Sequence, residues 1–362
     1  MRTIVHVVGA RPNYMKIAPL MEALRSADGF KQILVNTGQH YDDLMARAFV
    51  RDLGLPTPDY DLGVGSASHA EQTARVMMEF EKVCLAERPD LVVVVGDVNS
   101  TMAASLVAAK LLIPIAHVEA GLRSRDRTMP EEINRIVTDR LSDVLLAPSA
   151  DAVQNLLAEG EPESQIHLVG NIMIDSLFRY LPVATLTRIS DRIPVSEWCY
   201  AVLTLHRPSN VDSVETFHRI LDAVMSIAGE MPVVFPVHPR TRQRLKEFGV
   251  NVSSRQLILT EPLGYIDFLS LTSHSRLILT DSGGLQEEST ALGIPCLTLR
   301  ENTERPITVT EGTNQVVGTA TGDILAGYRR ALAAGNTPRR PALWDGQTAG
   351  RIARVLCEVL ST

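Results

Sequence analysis

The sequence predicts an α/β protein made of two doubly wound parallel domains, and three observations carry that expectation. Strand-like and helix-like segments alternate along the whole chain, the pattern of a parallel sheet with helical crossovers. Some strands are continuous β-branched apolar runs, such as LVVVV at Leu91 to Val95, as strands covered on both faces require. At 362 residues and 45% hydrophobic content, the chain is too long for one ordinary core and suits two.

In chain order, the first domain reads as a strand from Thr3 to Val8, a helix from Met15 to Ser26 and a strand from Gln32 to Asn36. Helices follow at Asp42 to Asp52 and His69 to Glu87, then the Leu91 to Val95 strand and a helix from about Ser100 to Leu112. The run IPIAHVE ends a strand at Glu119, and Pro130 marks the first turn of another helix. Strands near Val144 to Ala147 and Ile166 to Val169 complete this half. Periodicity weakens between Met173 and Glu197, which contains Pro182 and Pro194, and strands resume at Tyr200. The second set is YAVLTL, PVVFPV, QLILT, RLILT and PCLTL, separated by helical stretches. A boundary near Gly170 to Asn171 gives domains 1–170 and 171–345. The last helix, about Thr348 to Leu360 within 346–362, is free to pack on either domain, a return to the first included.

The formal net charge of -7 and the absence of long basic runs argue against nucleic acid as a partner. Cys84, Cys199, Cys296 and Cys357 are far apart and form no CxxC pair, so neither a disulfide framework nor a zinc site is expected. They read as reduced core thiols of a cytoplasmic protein. The first strand begins almost at once, leaving no room for a signal peptide, and no apolar run reaches membrane-spanning length.

Chemistry concentrates between Leu91 and Arg135. Asp97 follows the end of one strand, Glu119 ends the next, and Glu131 opens a helix after the loop that begins at Gly121. Ligands of open α/β sheets bind outside the carboxyl ends of the strands, so these three acids are candidates to face one ligand. A structural reading stands beside this one. Asp97 suits a turn or cap, and Glu131 and Glu132 suit a helix's first turn. Glu119 resists it, because a carboxylate after an apolar strand is costly to bury unless paired, and Arg123 and Arg135 are its candidate partners.

The second domain carries polar residues at its strand ends too: His206-Arg207, His238, and Asp281-Ser282-Gly283-Gly284 leading into the helix LQEESTALG. Two glycines before a helix allow backbone N–H groups to approach a phosphate, although a ligand-free strand-to-helix turn has the same sequence. Glu287 or Glu288, one turn on, suits a ribose diol or a solvated helix face. In the first domain, GARPNYMK places Arg11 and Lys16 at a helix start, where Arg11 can grip a diphosphate in bidentate fashion and Lys16 can add charge. Arg305, in ENTERPITV, is a further candidate for the same diphosphate, whereas His6, inside the first strand, reads as a core residue. Acids on one domain and a phosphate turn on the other imply a nucleotide sugar in an interdomain cleft, its sugar toward the acids.

GARPNYMK, GDVNST, HVEAGLRS, PEEINR, LHRPSN, PVHP, TDSGGLQEE and ENTERP occur in this order across nearly the whole chain, and with them the sequence resembles the UDP-N-acetylglucosamine 2-epimerases. The resemblance implies a GT-B fold and interconversion of UDP-N-acetylglucosamine and UDP-N-acetylmannosamine with no metal or other cofactor, in agreement with the absence of a GxGxxG fingerprint after a strand. It implies elimination of UDP to a 2-acetamidoglucal and re-addition, with Asp97, Glu119 and Glu131 as the acid/base set. It further implies diphosphate contacts from Arg11, His206 and Arg305, phosphate and ribose contacts from Ser282, Gly283, Gly284 and Glu288, and support from Lys16 and Arg135. Relatives of this kind are commonly cytoplasmic homodimers feeding surface polysaccharide synthesis.

Two departures stand out. The common HRxEN pattern reads HRPSN here, with Ser209 in the glutamate slot, and Gln39-His40 is followed by Asp42 where second-site-activated relatives carry glutamine. Both imply an enzyme without second-site activation by UDP-N-acetylglucosamine. They leave open a related UDP sugar such as a 3-acetamido uronic acid form, and a hydrolysing 2-epimerase, a GT-B glycosyltransferase and a non-catalytic nucleotide-sugar sensor stand as rival readings.

Overall fold

The computed structural model describes residues 1–27, 29–38, 54, 56–187, 189, 192–249, 256–334 and 339–361. The chain divides into two compact units, Met1–Ser176 with Ala342–Thr362, and Leu177–Pro341. The sequence expectation of a helix over Asp42 to Asp52 falls outside the described residues.

The first unit opens with β1 (Arg2–Val8), α1 (Arg11–Arg25), β2 (Phe30–Asn36), β3 (Tyr60–Asp61), α2 (His69–Glu87) and β4 (Leu91–Val95). It continues through α3 (Asn99–Lys110), β5 (Ile115–Val118), α4 (Pro130–Leu141), β6 (Val144–Ala147), α5 (Ala150–Ala158) and β7 (Ile166–Leu168), and α6 (Ile172–Thr187) leads out of it. The strands form one parallel sheet in the order β3-β2-β1-β4-β5-β6-β7. The order reverses beside β1 and β4, the place where a doubly wound sheet opens a crevice at its carboxyl edge. β4 is buried throughout; Val92 and Val94 pack with Val5, Val7, Ile33, Val35 and Phe80, which explains why its sequence shows no alternation.

The second unit holds β8 (Ala201–Thr204), α7 (Pro208–Val211), α8 (Val214–Ala228), β9 (Val233–Pro236), α9 (Pro239–Glu247), β10 (Leu257–Thr260) and α10 (Tyr265–Ser273). After them come β11 (Leu277–Thr280), α11 (Gly283–Leu292), β12 (Cys296–Thr298), α12 (Ile307–Thr310), β13 (Asn314–Val316) and α13 (Thr321–Ala334), and α14 (Thr348–Ser361) closes the chain. The sheet order is β10-β9-β8-β11-β12-β13, again parallel and again reversing next to its first strand. Phe217, Ile220, Val224 and Ile227 form the apolar face of α8 and pack with Leu203, Phe235 and Leu279, the spacing expected of an amphipathic crossover helix.

α14 lies with the first unit and packs on α1. Its first turn is tied by Asp175, whose carboxylate accepts the N–H groups of Thr348 at 3.1 Å and Ala349 at 2.7 Å.

Several elements differ from the expectation. α1 begins at Arg11, before Met15, because Pro12 is accommodated in a first turn. α6 runs through Pro182 in the stretch where periodicity fades. It buries Ile174, Leu177, Tyr180 and Ala184, and its apolar residues are too dense to show a single face. β13 is a short polar strand that no apolar run announces. Of the four cysteines, Cys84 and Cys296 are buried as expected, but Cys199 is exposed and Cys357 only partly covered, which corrects their reading as core thiols. His6 is a core histidine: Nε2 meets Gln32 Oε1 at 3.0 Å, and burial lowers its pKa to about 4. Among the described residues, no helix is long and apolar enough to cross a membrane.

Candidate active site

At the carboxyl edge of the first sheet, β4 and β5 deliver Asp97 and Glu119 to neighbouring turns. Gly96, at φ +70°, turns the chain out of β4 by a conformation that favours glycine. Glu119 itself sits at φ +74°, where a side chain costs about 1–2 kcal/mol of strain. Its carboxylate is buried and pairs through Oε2 with the buried Lys16 ammonium of α1, while Oε1 is buried with no hydrogen-bond partner among the described residues. A Cβ on Gly96 would lie 3.5 Å from Lys16 Nζ and 3.6 Å from Glu119 Oε2. The pair therefore lies against the turn that carries Asp97.

The expected partners of Glu119 are thus corrected. Arg123 instead binds Asp139 at 2.7 Å and Glu159 at 2.6 Å, and Arg135 binds Asp97 through Nη1 and Glu132 through Nη2 at 2.7 Å. The guanidinium fork explains this choice, since α4 places Glu132 three residues before Arg135 on the same face. Glu132 also accepts the Ser124 and Arg125 N–H groups at 2.9 Å. Burial works to raise its pKa, but these amides and Arg135 outweigh burial and lower it. Glu132 is an anchor for the loop, and Glu131 beside it is exposed, with no partner among the described residues.

Two asparagines that sequence reasoning passed over brace these turns. Asn13 accepts the N–H groups of Gly9 and Ala10 at 3.1 and 3.0 Å and donates to the Val95 carbonyl at 3.1 Å. Asn134 donates to the Asp97 carbonyl at 2.9 Å. Both stand inside the quoted motifs GARPNYMK and PEEINR, so their signal was position within a motif, not chemistry. Arg11 begins α1, and its side chain lies outside the described residues.

The second unit gathers the other candidates at the N-terminus of α11. Ser282 precedes that helix without a side-chain cap, so its first-turn N–H groups stay open to an anion. Gly283 is required by close approach: a Cβ there would lie 2.4 Å from Arg305 Nη1 and 2.6 Å from Glu304 Oε1. Arg305 is fixed by Glu287 at 2.7 Å and by Glu304, and Arg300 and Arg207 approach Glu304 at 2.9 and 3.7 Å. Burial would raise the Glu304 carboxyl's pKa, but Arg305, Arg300 and Arg207 hold it well below the usual range. Three guanidiniums against Glu287 and Glu304 leave the helix N-terminus in a cationic surround.

His206, half exposed, sits beside it with Nδ1 2.8 Å from Asp281 Oδ1. Asp281 is fully buried and also accepts the N–H groups of His206 at 3.0 Å and Arg207 at 2.9 Å. Burial opposes its ionisation, yet the His206 hydrogen bond and charge and these amides keep its pKa low. An ionised Asp281 accepts from His206 Nδ1–H and so fixes the orientation of the ring. Glu288, one turn into α11, is buried and accepts the Tyr265 hydroxyl at 3.1 Å; burial foremost, with Glu287 nearby, pushes its pKa up to about 7 against the Tyr265 hydrogen bond. Among the described residues, no group of histidine, cysteine and carboxylate side chains is arranged to hold a metal ion.

The sequence pattern of UDP-N-acetylglucosamine 2-epimerase matches residues 22–357. The chain is a member of this family. It is 42% identical to the UDP-N-acetylglucosamine 2-epimerase of Methanocaldococcus jannaschii over 97% of both chains. A crystal structure of that archaeal enzyme, in complex with UDP-GlcNAc and UDP, superposes with a TM-score of 0.91 at 41% identity, covering 99% of this chain and 100% of the other. The Neisseria meningitidis UDP-GlcNAc 2-epimerase bound to UDP-GlcNAc gives 0.89 at 30% identity, over 98% and 100%. The UDP-2,3-diacetamido-2,3-dideoxy-D-glucuronate 2-epimerase of Pseudomonas aeruginosa is 39% identical over 98% of this chain and 99% of its own. The fold of the family member described here is the GT-B pairing of two parallel α/β domains, as its resemblance implied, and it is an epimerase, an isomerase by class.

Proposed function

We propose that this family member interconverts UDP-N-acetylglucosamine and UDP-N-acetylmannosamine by eliminating and re-adding UDP. The observation that carries this reading is Glu119: a buried, strained carboxylate with one oxygen on Lys16 and the other without a partner among the described residues, beside the Asp97 turn. A proton-transfer group needs such an available oxygen shielded from water.

In the reaction, a carboxylate takes the proton from C2, the C2–H electrons form the C1=C2 bond of the 2-acetamidoglucal, and the C1–O electrons leave with UDP. Re-addition delivers a proton to the opposite face of C2 and returns the diphosphate oxygen to C1. Asp97, Glu119 and Glu131 supply the acceptor and donor groups, with Arg135 and Lys16 holding the first two. Charge grows on the departing diphosphate, where His206 Nε2, Arg11, Arg305, the Ser282 hydroxyl and the N–H groups of Gly283 and Gly284 stabilise it. Glu288 takes the ribose hydroxyls. Pairs of fixed opposite charges cost no reorganisation during the step, and fixed charge of this kind typically accounts for a large share of such rate enhancements.

The same reading gives UDP-N-acetylmannosamine, not free N-acetylmannosamine with UDP, as product, because the intermediate is kept and re-esterified. Product analysis by NMR from UDP-N-acetylglucosamine alone tests it; a dominant free sugar signal would sink it in favour of the hydrolysing reaction. The 39% identity to the Pseudomonas enzyme favours one second reading, a diacetamido uronate form of the UDP sugar. Parallel turnover of both sugars decides between them. The enzyme works without second-site activation in this account: Ser209 is exposed on α7 in place of the usual glutamate, while Gln39, His40 and Asp42 lie outside the described residues. A reverse reaction from UDP-N-acetylmannosamine that stalls until UDP-N-acetylglucosamine is added contradicts that feature. A cytoplasmic homodimer feeding polysaccharide synthesis accords with family membership.

A further inference from the structure

One buried group beneath the acids has no part in the chemistry above. His117, near the end of β5, is wholly buried. Its Nδ1 lies 2.6 Å from Asp139 Oδ1 and its Nε2 lies 2.9 Å from the Gly96 carbonyl oxygen. Asp139, on α4, binds Arg123 at 2.7 Å and accepts the Gly121 N–H at 3.0 Å through its second oxygen. Burial works to raise the Asp139 pKa, but His117 and Arg123 keep it low. A carboxylate so held has no proton to give, and a carbonyl has none, so both ring nitrogens of His117 donate. That is the hydrogen-bonding pattern of an imidazolium. The charged neighbours are Arg123 with its second partner Glu159, and the Lys16–Glu119 pair against the far side of Gly96.

The placement of these bonds separates this pair from an ordinary buried ion pair. His117 bonds the carbonyl just before Asp97, and Asp139 accepts the amide two residues after Glu119. Gly96 and Gly121 take positive φ, at 70° and 83°, as glycine readily does, and Glu119 takes 74°, a strained conformation that persists only where its surroundings over-determine it. A single dyad thus grips both acid-bearing turns.

We propose that His117, clamped by Asp139, is a positioning residue that fixes the Asp97 and Glu119 turns relative to each other and so governs turnover without contributing to nucleotide binding. The proposal rests on the epimerase reading. The test uses the full-length protein as wild type, His117→Gln and Asp139→Asn, with kcat, KM, deuterium uptake at C2, UDP affinity and Tm measured for each. In the wild type, the ring nitrogens of His117 are also read by 15N NMR, its signal distinguished among the nine histidines by its change in Asp139→Asn. The expected result is a fall of about a hundredfold in kcat and C2 exchange for His117→Gln, with UDP affinity within about threefold of wild type, and a smaller fall for Asp139→Asn, whose amide oxygen still accepts from Nδ1. The expected spectrum is that of a ring whose two nitrogens both donate, as the two acceptors facing them require. A folded His117→Gln with near-normal kcat overturns the proposal, as does parallel loss of rate and UDP affinity, or a neutral-ring spectrum. If His117→Gln does not fold, the wild-type ring spectrum and Asp139→Asn decide by the same criteria. A wild type that takes up no deuterium at C2 removes the epimerase reading itself and this role with it, an outcome distinct from failure of the variants alone.

Discussion

Lys16 and Glu119 are buried together, so the loss of either leaves a charge without compensation in a place that water does not reach. Lys16→Met is expected to cost about 3 kcal/mol of stability, read by chemical denaturation, whereas Glu131→Gln, at an exposed position, stays within about 0.5 kcal/mol. Activity separates differently: Glu131→Gln is expected to lose turnover by about 10²-fold, as the proposed proton-transfer role of that acid requires, and an unchanged kcat would contradict that role. Glu288 gives a pH signature. Its folded pKa of about 7 is raised by burial above the ordinary carboxyl value of 4.5, so the folded state favours the proton. The associated stability is complete below about pH 4.5 and is lost as pH rises through about 7. Glu288→Gln should therefore raise the Tm of the unliganded protein at pH 8 and change it little at pH 4.5, with a stabilisation on the order of 2 kcal/mol; equal shifts at both pH values would contradict the assignment. At this scale Asp97 and Glu119 were legible as strand-end residues. Their partners were not, because the Lys16–Glu119 contact spans 103 residues and the Arg135–Asp97 contact 38, separations that local pattern does not encode.

Among the elements, α11 and α14 depend on single positions. Gly283→Ala places a methyl where Arg305 Nη1 now lies. That guanidinium is held by Glu287 and Glu304 and cannot simply swing aside. UDP affinity should fall about tenfold or more, measured by calorimetry, while the spectrum of the folded state is unchanged. Asp175→Ala leaves two first-turn amides of α14 without their buried acceptor, which should lower stability by about 2 kcal/mol and the Tm by roughly 4 °C. The strands carried the clearest signal in the sequence, because β4, β8 and β11 are apolar on both faces. α6 was obscured for the same reason, since an apolar helix shows no stripe, and β13 escaped because Asn314 and Gln315 carry no β pattern. The tie from Asp175 to α14 joins the two ends of the first unit through a contact that no sequence spacing suggests.

For the whole molecule, the proposed reaction divides the labour: nucleotide contacts belong to the second unit, apart from Arg11, and proton transfer to the first. The order of motifs made the family and the GT-B class legible, and the chemistry of strand ends marked candidate residues in each unit, but the His117–Asp139 contact spans 22 residues, which no local pattern encodes. Division of labour predicts that Asp97→Asn and Glu119→Gln lose turnover by about 10²-fold to 10⁴-fold yet bind UDP within about threefold of wild type. The most direct test of the central claim is incubation with UDP-N-acetylglucosamine in deuterated water, followed by NMR of the C2 position. The predicted result is deuterium at C2 of both epimers for the wild type, and labelling about 10²-fold to 10⁴-fold slower for Glu119→Gln. Epimerisation with C2 left unlabelled, or undiminished labelling in both Glu119→Gln and Asp97→Asn, would contradict it.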